Sequence, residues 1–309
     1  MELKKRRIGT SDLIVSEAAL GCMSLGTEKN EALSLLDEAI DLGINYLDTA
    51  DLYDFGTNEE IVGEAIKNRR QDLILATKGG NRFEKGKPGW DWDPSKAYIK
   101  EAVKQSLKRL QTDYIDLYQL HGGTIDDPID ETIEAFEELV EEGVIRYYGI
   151  SSIRPNVMKE YAKNSNIISV MMQYSLLDRR PEEWFSLLEE QNISIVARGP
   201  LAKGLLTEKP LSHARAAIQK NGYLQYSFEE LQQVIPSLKK VAYDLSLTEL
   251  SIQYLLKHSA VSSVVFGASS VKQLKENIAA NARSLSDQEV KALSYFTKQS
   301  VYEAHRLNQ

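Results

Sequence analysis

Residues 44–78 read INYLDTADLYDFGTNEEIVGEAIKNRRQDLILATK: an apolar run, an amphipathic stretch and a second apolar run. Ile44 to Ala50 and Leu73 to Lys78 are short, apolar and bounded by polar turns, the pattern of buried strands. Between them, Asn58 to Asn68 is apolar at three- and four-residue spacing behind an Asn, the pattern of a helix lying on those strands. The same unit recurs along the chain. Further apolar runs lie at Val15 to Gly21, Ile115 to His121, Val144 to Ser151, Ile168 to Tyr174, Ile193 to Arg198 and Val261 to Gly267, which makes eight. Helical patterns separate or follow them at Asn30 to Leu42, Ser95 to Leu110, Ile129 to Glu142, Pro155 to Lys163, Pro181 to Gln191, Phe228 to Leu245 and Val271 to Ala280, often opened by Asn or Ser. Gly43 and Gly143 sit where a helix C-cap is wanted. Eight β-then-α units predict an α/β fold, a (β/α)8 TIM barrel, preceded by a short N-terminal β-hairpin turning at Gly9 to Asp12.

A doubly wound sheet is the competing arrangement. No Pro/Ser-rich or low-complexity linker divides the chain, and no G-x-G pattern occurs, so the dinucleotide fingerprint of that fold is missing. The P-loop and the G-x-S-x-G elbow are missing as well, which sets aside the commonest ATPase and hydrolase readings. At 309 residues the length alone would suggest about two domains; the repeat instead predicts one domain over 1–309.

Composition bounds the partners. The chain is 42 % hydrophobic and 27 % charged, ordinary for a globular protein with a large core. With 37 basic and 45 acidic residues its net charge is −8, so no nucleic-acid partner is expected. No run of about 18 apolar residues occurs, so no membrane partner is expected. Lys4 to Arg7 is followed by no signal-peptide pattern, and the single cysteine, Cys22, precludes a disulfide framework; a reducing, cytoplasmic setting is the expectation. Four scattered histidines and that one cysteine offer no zinc cluster, so no metal is expected.

In a barrel the chemistry gathers at the C-terminal ends of the strands. The second strand ends near Asp48 and its loop presents Tyr53; the third ends at Lys78; the fourth ends at His121. A carboxylate, an ammonium, an imidazole and a phenol thus reach one rim. A free tyrosine titrates near ~10, and a close ammonium favours the phenolate. Lys78 would supply that charge, Asp48 would hold Lys78 charged and aimed, and His121 would orient a carbonyl oxygen. Each residue alone has an ordinary explanation: a solvated lysine, a turn aspartate, a satisfied loop histidine. Their coincidence on three consecutive strand ends is what those explanations account for badly.

Asp48-Thr49-Ala50-Asp51-Leu52-Tyr53, Asn58-Glu59-Glu60-Ile61-Val62-Gly63, Ala76-Thr77-Lys78-Gly79 and Tyr118-Gln119-Leu120-His121 together resemble the aldo-keto reductase family, in its bacterial-type branch. The resemblance spans nearly the whole chain, from Arg7-Ile8-Gly9-Thr10-Ser11 to Asn277. It implies a barrel that binds NADPH, with NADH the less favoured cofactor, and reduces an aldehyde or ketone to an alcohol. It implies Tyr53 as general acid, Lys78 and Asp48 as its tuning pair and His121 as carbonyl-orienting donor. For the cofactor it implies Cys22 and Met23 near the ribose, with Cys22 as a cofactor-side thiol. Ser151 and Gln173 would hold the carboxamide, with Ser152 a further cofactor-side residue whose contact is shorter or absent, and Arg198, Gly199, Leu201 and Gly204 would run along the pyrophosphate. Gly267, Ser269, Gln273 and Asn277 would meet the adenosine end, where Lys272 and Lys275 are candidates for a 2′-phosphate. Three departures from the family pattern stand out. Ser152 replaces a common Asn, Arg198 replaces a common aromatic, and Leu206 to Phe228 is short and polar, which predicts a reduced cofactor-clasping loop. The loop from Gly79 to Pro94, with Phe83, Trp90 and Trp92, reads equally as an apolar wall over the substrate or as packing on the rim. The alternative function is an NADPH-binding redox-sensing or accessory subunit; an isomerase or hydrolase lacks the paired carboxylates or metal cluster it would need.

Overall fold

The computed structural model describes residues 3–279 and 283–306. The strands are β1 (Lys5–Arg7), β2 (Ile14–Ser16), β3 (Ala18–Gly21), β4 (Tyr46–Asp48), β5 (Ile74–Gly79), β6 (Asn81–Arg82), β7 (Asp91–Trp92), β8 (Ile115–Leu120), β9 (Ile145–Ser151), β10 (Ser169–Gln173), β11 (Ser194–Arg198) and β12 (Val261–Phe266). The helices are α1 (Lys29–Asp41), α2 (Thr57–Ile66), α3 (Lys96–Leu110), α4 (Ile129–Glu141), α5 (Pro155–Asn164), α6 (Phe185–Glu190), α7 (Ala216–Asn221), α8 (Phe228–Lys239), α9 (Leu247–Leu256), α10 (Val271–Ala279) and α11 (Asp287–Phe296). Eight parallel strands close a barrel in the order β3-β4-β5-β8-β9-β10-β11-β12, and β12 pairs back onto β3. All eight expected apolar runs supply these strands. The hairpin β1–β2 precedes them, with Arg6 opposite Val15.

Alternation along each strand sorts the core into two layers. Leu20, Leu47, Leu75 and Tyr118 belong to the larger cluster with the helices. Ala19, Tyr46, Ile74, Ala76, Leu117, Met171, Val196 and Val265 form a smaller cluster with Ile8, Leu13 and Val15 of the hairpin. The hairpin therefore plugs the N-terminal end of the barrel. Gly9 is required at its turn: φ is +50°, and a Cβ there would lie 2.4 Å from the Ile168 carbonyl oxygen. Among the described residues no helix is long and apolar enough to cross a membrane.

The structure corrects three expectations of the elements. The stretch Phe228 to Leu245 is not one helix: α8 ends at Lys239, and α9 starts after Ser246, whose hydroxyl accepts from the Glu249 amide in a capping box. Leu206 to Phe228 is not merely short and polar. It contains α7 and a Tyr223–Tyr226 bridge, with Leu206, Ile218, Tyr223 and Tyr226 buried. Asn58 does not cap α2; its amide spans from the Thr49 hydroxyl (2.6 Å) to the Cys22 carbonyl (2.8 Å), and Gly56 takes the cap position. The expected last residue of the final barrel helix, Ala280, lies outside the described residues.

Candidate active site

Asp48 ends β4 and Lys78 is the penultimate residue of β5, its pairing neighbour. Both are buried, at 3 % and 1 % exposure. Lys78 Nζ donates to Asp48 Oδ2 at 2.7 Å, to the Thr49 carbonyl at 2.7 Å and to the Tyr53 hydroxyl at 3.4 Å. Asp48 Oδ1 accepts from Gln119 Nε2 at 3.3 Å. Burial opposes charge on Lys78, but the Asp48 carboxylate and the Tyr53 oxygen outweigh it and raise the ammonium above its ordinary value. The carboxyl of Asp48 is raised by burial, against the pull of Lys78 and of the bonds from Lys78 and Gln119.

Tyr53 reaches this pair from a tight turn. Its amide donates to the Ala50 carbonyl, and the Phe55 amide to that of Leu52. Asp54, Phe55 and Gly56 then run through left-handed backbone, with φ of 48°, 50° and 90°. The turn leaves Tyr53 half-buried on the rim, its ring 5.9 Å from that of His121 and nearly perpendicular to it. His121 follows β8, its amide bonded to the Gly79 carbonyl. Burial, and then the charges of Lys78 and Arg198, push its imidazole down to about 3, so it is neutral at ordinary pH. Its Nδ1 is buried without a partner among the described residues. The four groups expected at the rim are thus together.

A cavity of about 560 Å³ opens beside His121, lined by Trp90, Trp92, Ser151, Arg198 and Tyr302 among others. Trp92 both packs on the rim and borders the cavity. Its ring lies against Gly80 and Gly122 and its Nε1 donates to Asp127 at 2.9 Å, while another part faces the cavity. Trp90 is more than half exposed.

The expected cofactor residues follow the rim. Ser151 ends β9, and the Ser152 hydroxyl accepts from the Arg154 amide at 3.3 Å; both line the cavity. Gln173 pairs with Arg198 across β10 and β11; its amide donates to Asp178 at 2.9 Å and accepts from Arg198 at 3.3 Å. Arg198 has no carboxylate partner among the described residues. Gly199 and Gly204 flank Leu201 with φ of 69° and 90°. Gly267 lies against Ser24, where a Cβ would come within 2.7 Å of the hydroxyl oxygen. Ser269 donates through its amide and hydroxyl to Gln273, and Asn277 donates to the Gly267 carbonyl at 3.3 Å, so this group clusters at the start of α10. Lys275 is engaged with Glu38 at 2.9 Å, whereas Lys272 is 86 % exposed beside Glu276 at 3.9 Å. Met23 is 67 % exposed on the same rim. Cys22 departs from the expectation: it is fully buried in the core, and burial with the Asp48 charge pushes its thiol up.

Sequence reasoning missed Gln119, Asp178 and the segment Tyr302 to His305, which also lines the cavity. Gln119 could have been found, because it lies opposite Lys78 in the β5–β8 register. The C-terminal segment carries no motif or periodicity. Among the described residues, no group of three or more His, Cys, Asp or Glu side chains is placed to hold a metal.

The sequence model of the Aldo/keto reductase family matches residues 18–297. The chain is 71 % identical over 305 residues to the uncharacterized oxidoreductase YqkF of Bacillus subtilis, covering 98 % of this chain and 100 % of that one. It is 30 % identical to the NADH-specific methylglyoxal reductase of Escherichia coli, covering 92 % and 95 %. The solved structure of the aldo-keto reductase AKR11C1 from Bacillus halodurans, in its holo form, superposes with a TM-score of 0.95 at 62 % identity, covering 99 % of this chain and 100 % of that one. With the closed barrel and its rim of strand-end residues already described, these matches establish that the chain belongs to the aldo/keto reductase family of NAD(P)H-dependent oxidoreductases.

Proposed function

We propose that this protein reduces aldehydes or ketones to alcohols with NADPH, and that Tyr53 donates the proton. The observation that carries the reading is the Lys78 ammonium, which touches the Tyr53 hydroxyl at 3.4 Å while Asp48 and the Thr49 carbonyl hold it in place. A buried positive charge there favours departure of the phenolic proton toward a carbonyl oxygen. The neutral imidazole of His121 sits beside the phenol and donates a hydrogen bond to that oxygen without competing as an acid.

The rim suits a dinucleotide. Gln173 is oriented by Asp178 and Arg198, Arg198 offers an uncompensated guanidinium, and the amide-rich start of α10 lies close to Lys272. When bound there, the reduced nicotinamide supplies hydride to the carbonyl carbon. Lys272 favours NADPH over NADH, because an exposed ammonium beside the adenosine end gains a partner in a 2′-phosphate. The E. coli relative named NADH-specific makes this the point to measure. A cavity edged by Trp90, Trp92 and Tyr302 suits a carbonyl compound of modest size with an apolar body.

Replacing Tyr53 with Phe is expected to lower NADPH-dependent reduction of a reactive aldehyde by roughly 10²-fold or more. Fluorescence titration should show NADPH binding nearly unchanged and tighter than NADH. Undiminished turnover in the variant would remove Tyr53 from the role of acid.

A further inference from the structure

We propose that Arg109 of α3 and Glu59 of α2 are positioning residues that hold the Tyr53 hydroxyl at its distance from Lys78; the inference rests on Tyr53 being the proton donor. Neither residue lines the cavity. They act through the turn.

Tyr53 is followed by three consecutive left-handed residues, two of which, Asp54 and Phe55, carry side chains that disfavour that backbone. Such a conformation persists only where its surroundings over-determine it. Arg109 provides the surroundings. Its side chain lies so close beneath Gly56 that a Cβ there would come within 2.8 Å of Cδ and 3.1 Å of Nε. From that position Nε donates to Glu59 Oε2 at 2.7 Å and Nη2 to the Ser106 hydroxyl at 3.3 Å. The guanidinium also lies 5.9 Å from the ring of Phe83, which in turn meets the ring of Phe55 edge-on at 5.9 Å. The turn is therefore gripped at Gly56 by the arginine and at Phe55 by the aromatic ring resting on it.

The other end of the link reaches Lys78. Glu59 is fully buried, and its second oxygen, Oε1, accepts from the Thr77 hydroxyl at 2.5 Å. Thr77 is the residue before Lys78 on β5. One carboxylate thus ties the strand that carries the ammonium to the arginine that grips the turn carrying the phenol. A second acid beside this link, Asp51, has its carboxyl raised well above its ordinary range by burial and by Glu59. Displacing a reacting group by about 1 Å can cost ~10²-fold in rate, so a link that sets the Lys78–Tyr53 separation has leverage on turnover without touching substrate.

The test measures NADPH-dependent reduction of 4-nitrobenzaldehyde by Arg109→Met, Arg109→Lys and Thr77→Val, alone and combined with Tyr53→Phe, in steady-state and single-turnover assays. Arg109→Met is expected to lower kcat by about 10-fold or more, with aldehyde KM and NADPH Kd changed by less than about two-fold. Arg109→Lys should recover part of the loss, since an ammonium can still pair with Glu59 but cannot seat a planar fork beneath Gly56. In the Tyr53→Phe background, Arg109→Met should cause no further fall, because the group it positions is already gone. If Arg109→Met does not fold, Thr77→Val carries the test: it removes only one hydroxyl and should lower kcat by about three-fold, again without additivity. An unchanged kcat in the folded variants, or losses that multiply with that of Tyr53→Phe, would overturn the positioning role while leaving Tyr53 as donor. Full turnover in Tyr53→Phe itself would overturn both.

Discussion

Lys78 spends all three of its N–H donors on three different oxygens, and each contact has a separate consequence. The Asp48 bond keeps the ammonium charged in a buried place, the Thr49 carbonyl fixes where the nitrogen sits, and the Tyr53 contact delivers the charge to the phenol. His121 is set by the opposite means, burial that keeps it uncharged. Its imidazole titrates at about 3 in the folded protein, against an ordinary value of 6.5. Above pH 6.5 neither the folded nor the unfolded chain protonates it. As pH falls from 6.5 toward 3 the unfolded chain takes up a proton that the folded one refuses, so stability falls in that window. The full contribution is at most roughly 4–5 kcal/mol. Urea unfolding followed between about pH 4 and 7 should show a shallower loss of stability for His121→Gln than for the unaltered protein. Equal slopes would show that the imidazole is not the group responsible.

Among the elements, α2 and α3 bear on the site through the Glu59–Arg109 pair, and at Gly63 they meet with no side chain between them. A Cβ at Gly63 would lie 2.6 Å from the Arg109 carbonyl oxygen and 2.7 Å from Leu110 Cα, so the backbones are in direct contact. Gly63→Ala should therefore force the helices apart and lower stability by roughly 1–3 kcal/mol, read as a fall in melting temperature. Because Arg109 rides on α3, the same substitution should also lower kcat. The strands and the residues at their ends were legible in the sequence because a barrel strand is short, apolar and ends at one rim, so position along the run already gives position in space. Asp48, Lys78 and His121 needed nothing more. Helix boundaries were less legible: Phe228 to Leu245 keeps its apolar spacing past the true end at Lys239, and the Ser246–Glu249 capping box was the signal that marks the break. The Glu59–Arg109 pair was not legible at all, since 50 residues separate the partners and only the crossing of two helices joins them. The burial of Cys22 was equally hidden, for a strand-end residue can face the rim or the helices, and one residue of register decides which.

At the scale of the whole molecule the two ends of the barrel are held by different chemistry. Opposite the rim that carries Asp48, Tyr53, Lys78 and His121, the hairpin plug is secured by Arg6. It donates to the carbonyls of Leu256 (2.6 Å), Val261 (2.9 Å) and His258 (3.3 Å) and to the buried Glu17 at 2.6 Å. Removing Arg6 leaves a buried carboxylate unpaired, so Arg6→Ala should cost about 3 kcal/mol or more. Turnover per folded molecule should not change, which active-site titration alongside thermal melting will check. A drop in turnover at constant folded fraction would mean that the plug communicates with the rim. The separation also bears on how variation accumulates. Damage around Arg6 is felt as abundance, because a less stable chain is cleared sooner, whereas damage around the Tyr53 turn is felt as speed. A library screened for protein level and the same library screened for specific activity should therefore return nearly disjoint sets of positions. Stability gained at the plug can then offset the cost of reshaping the loops that choose the substrate.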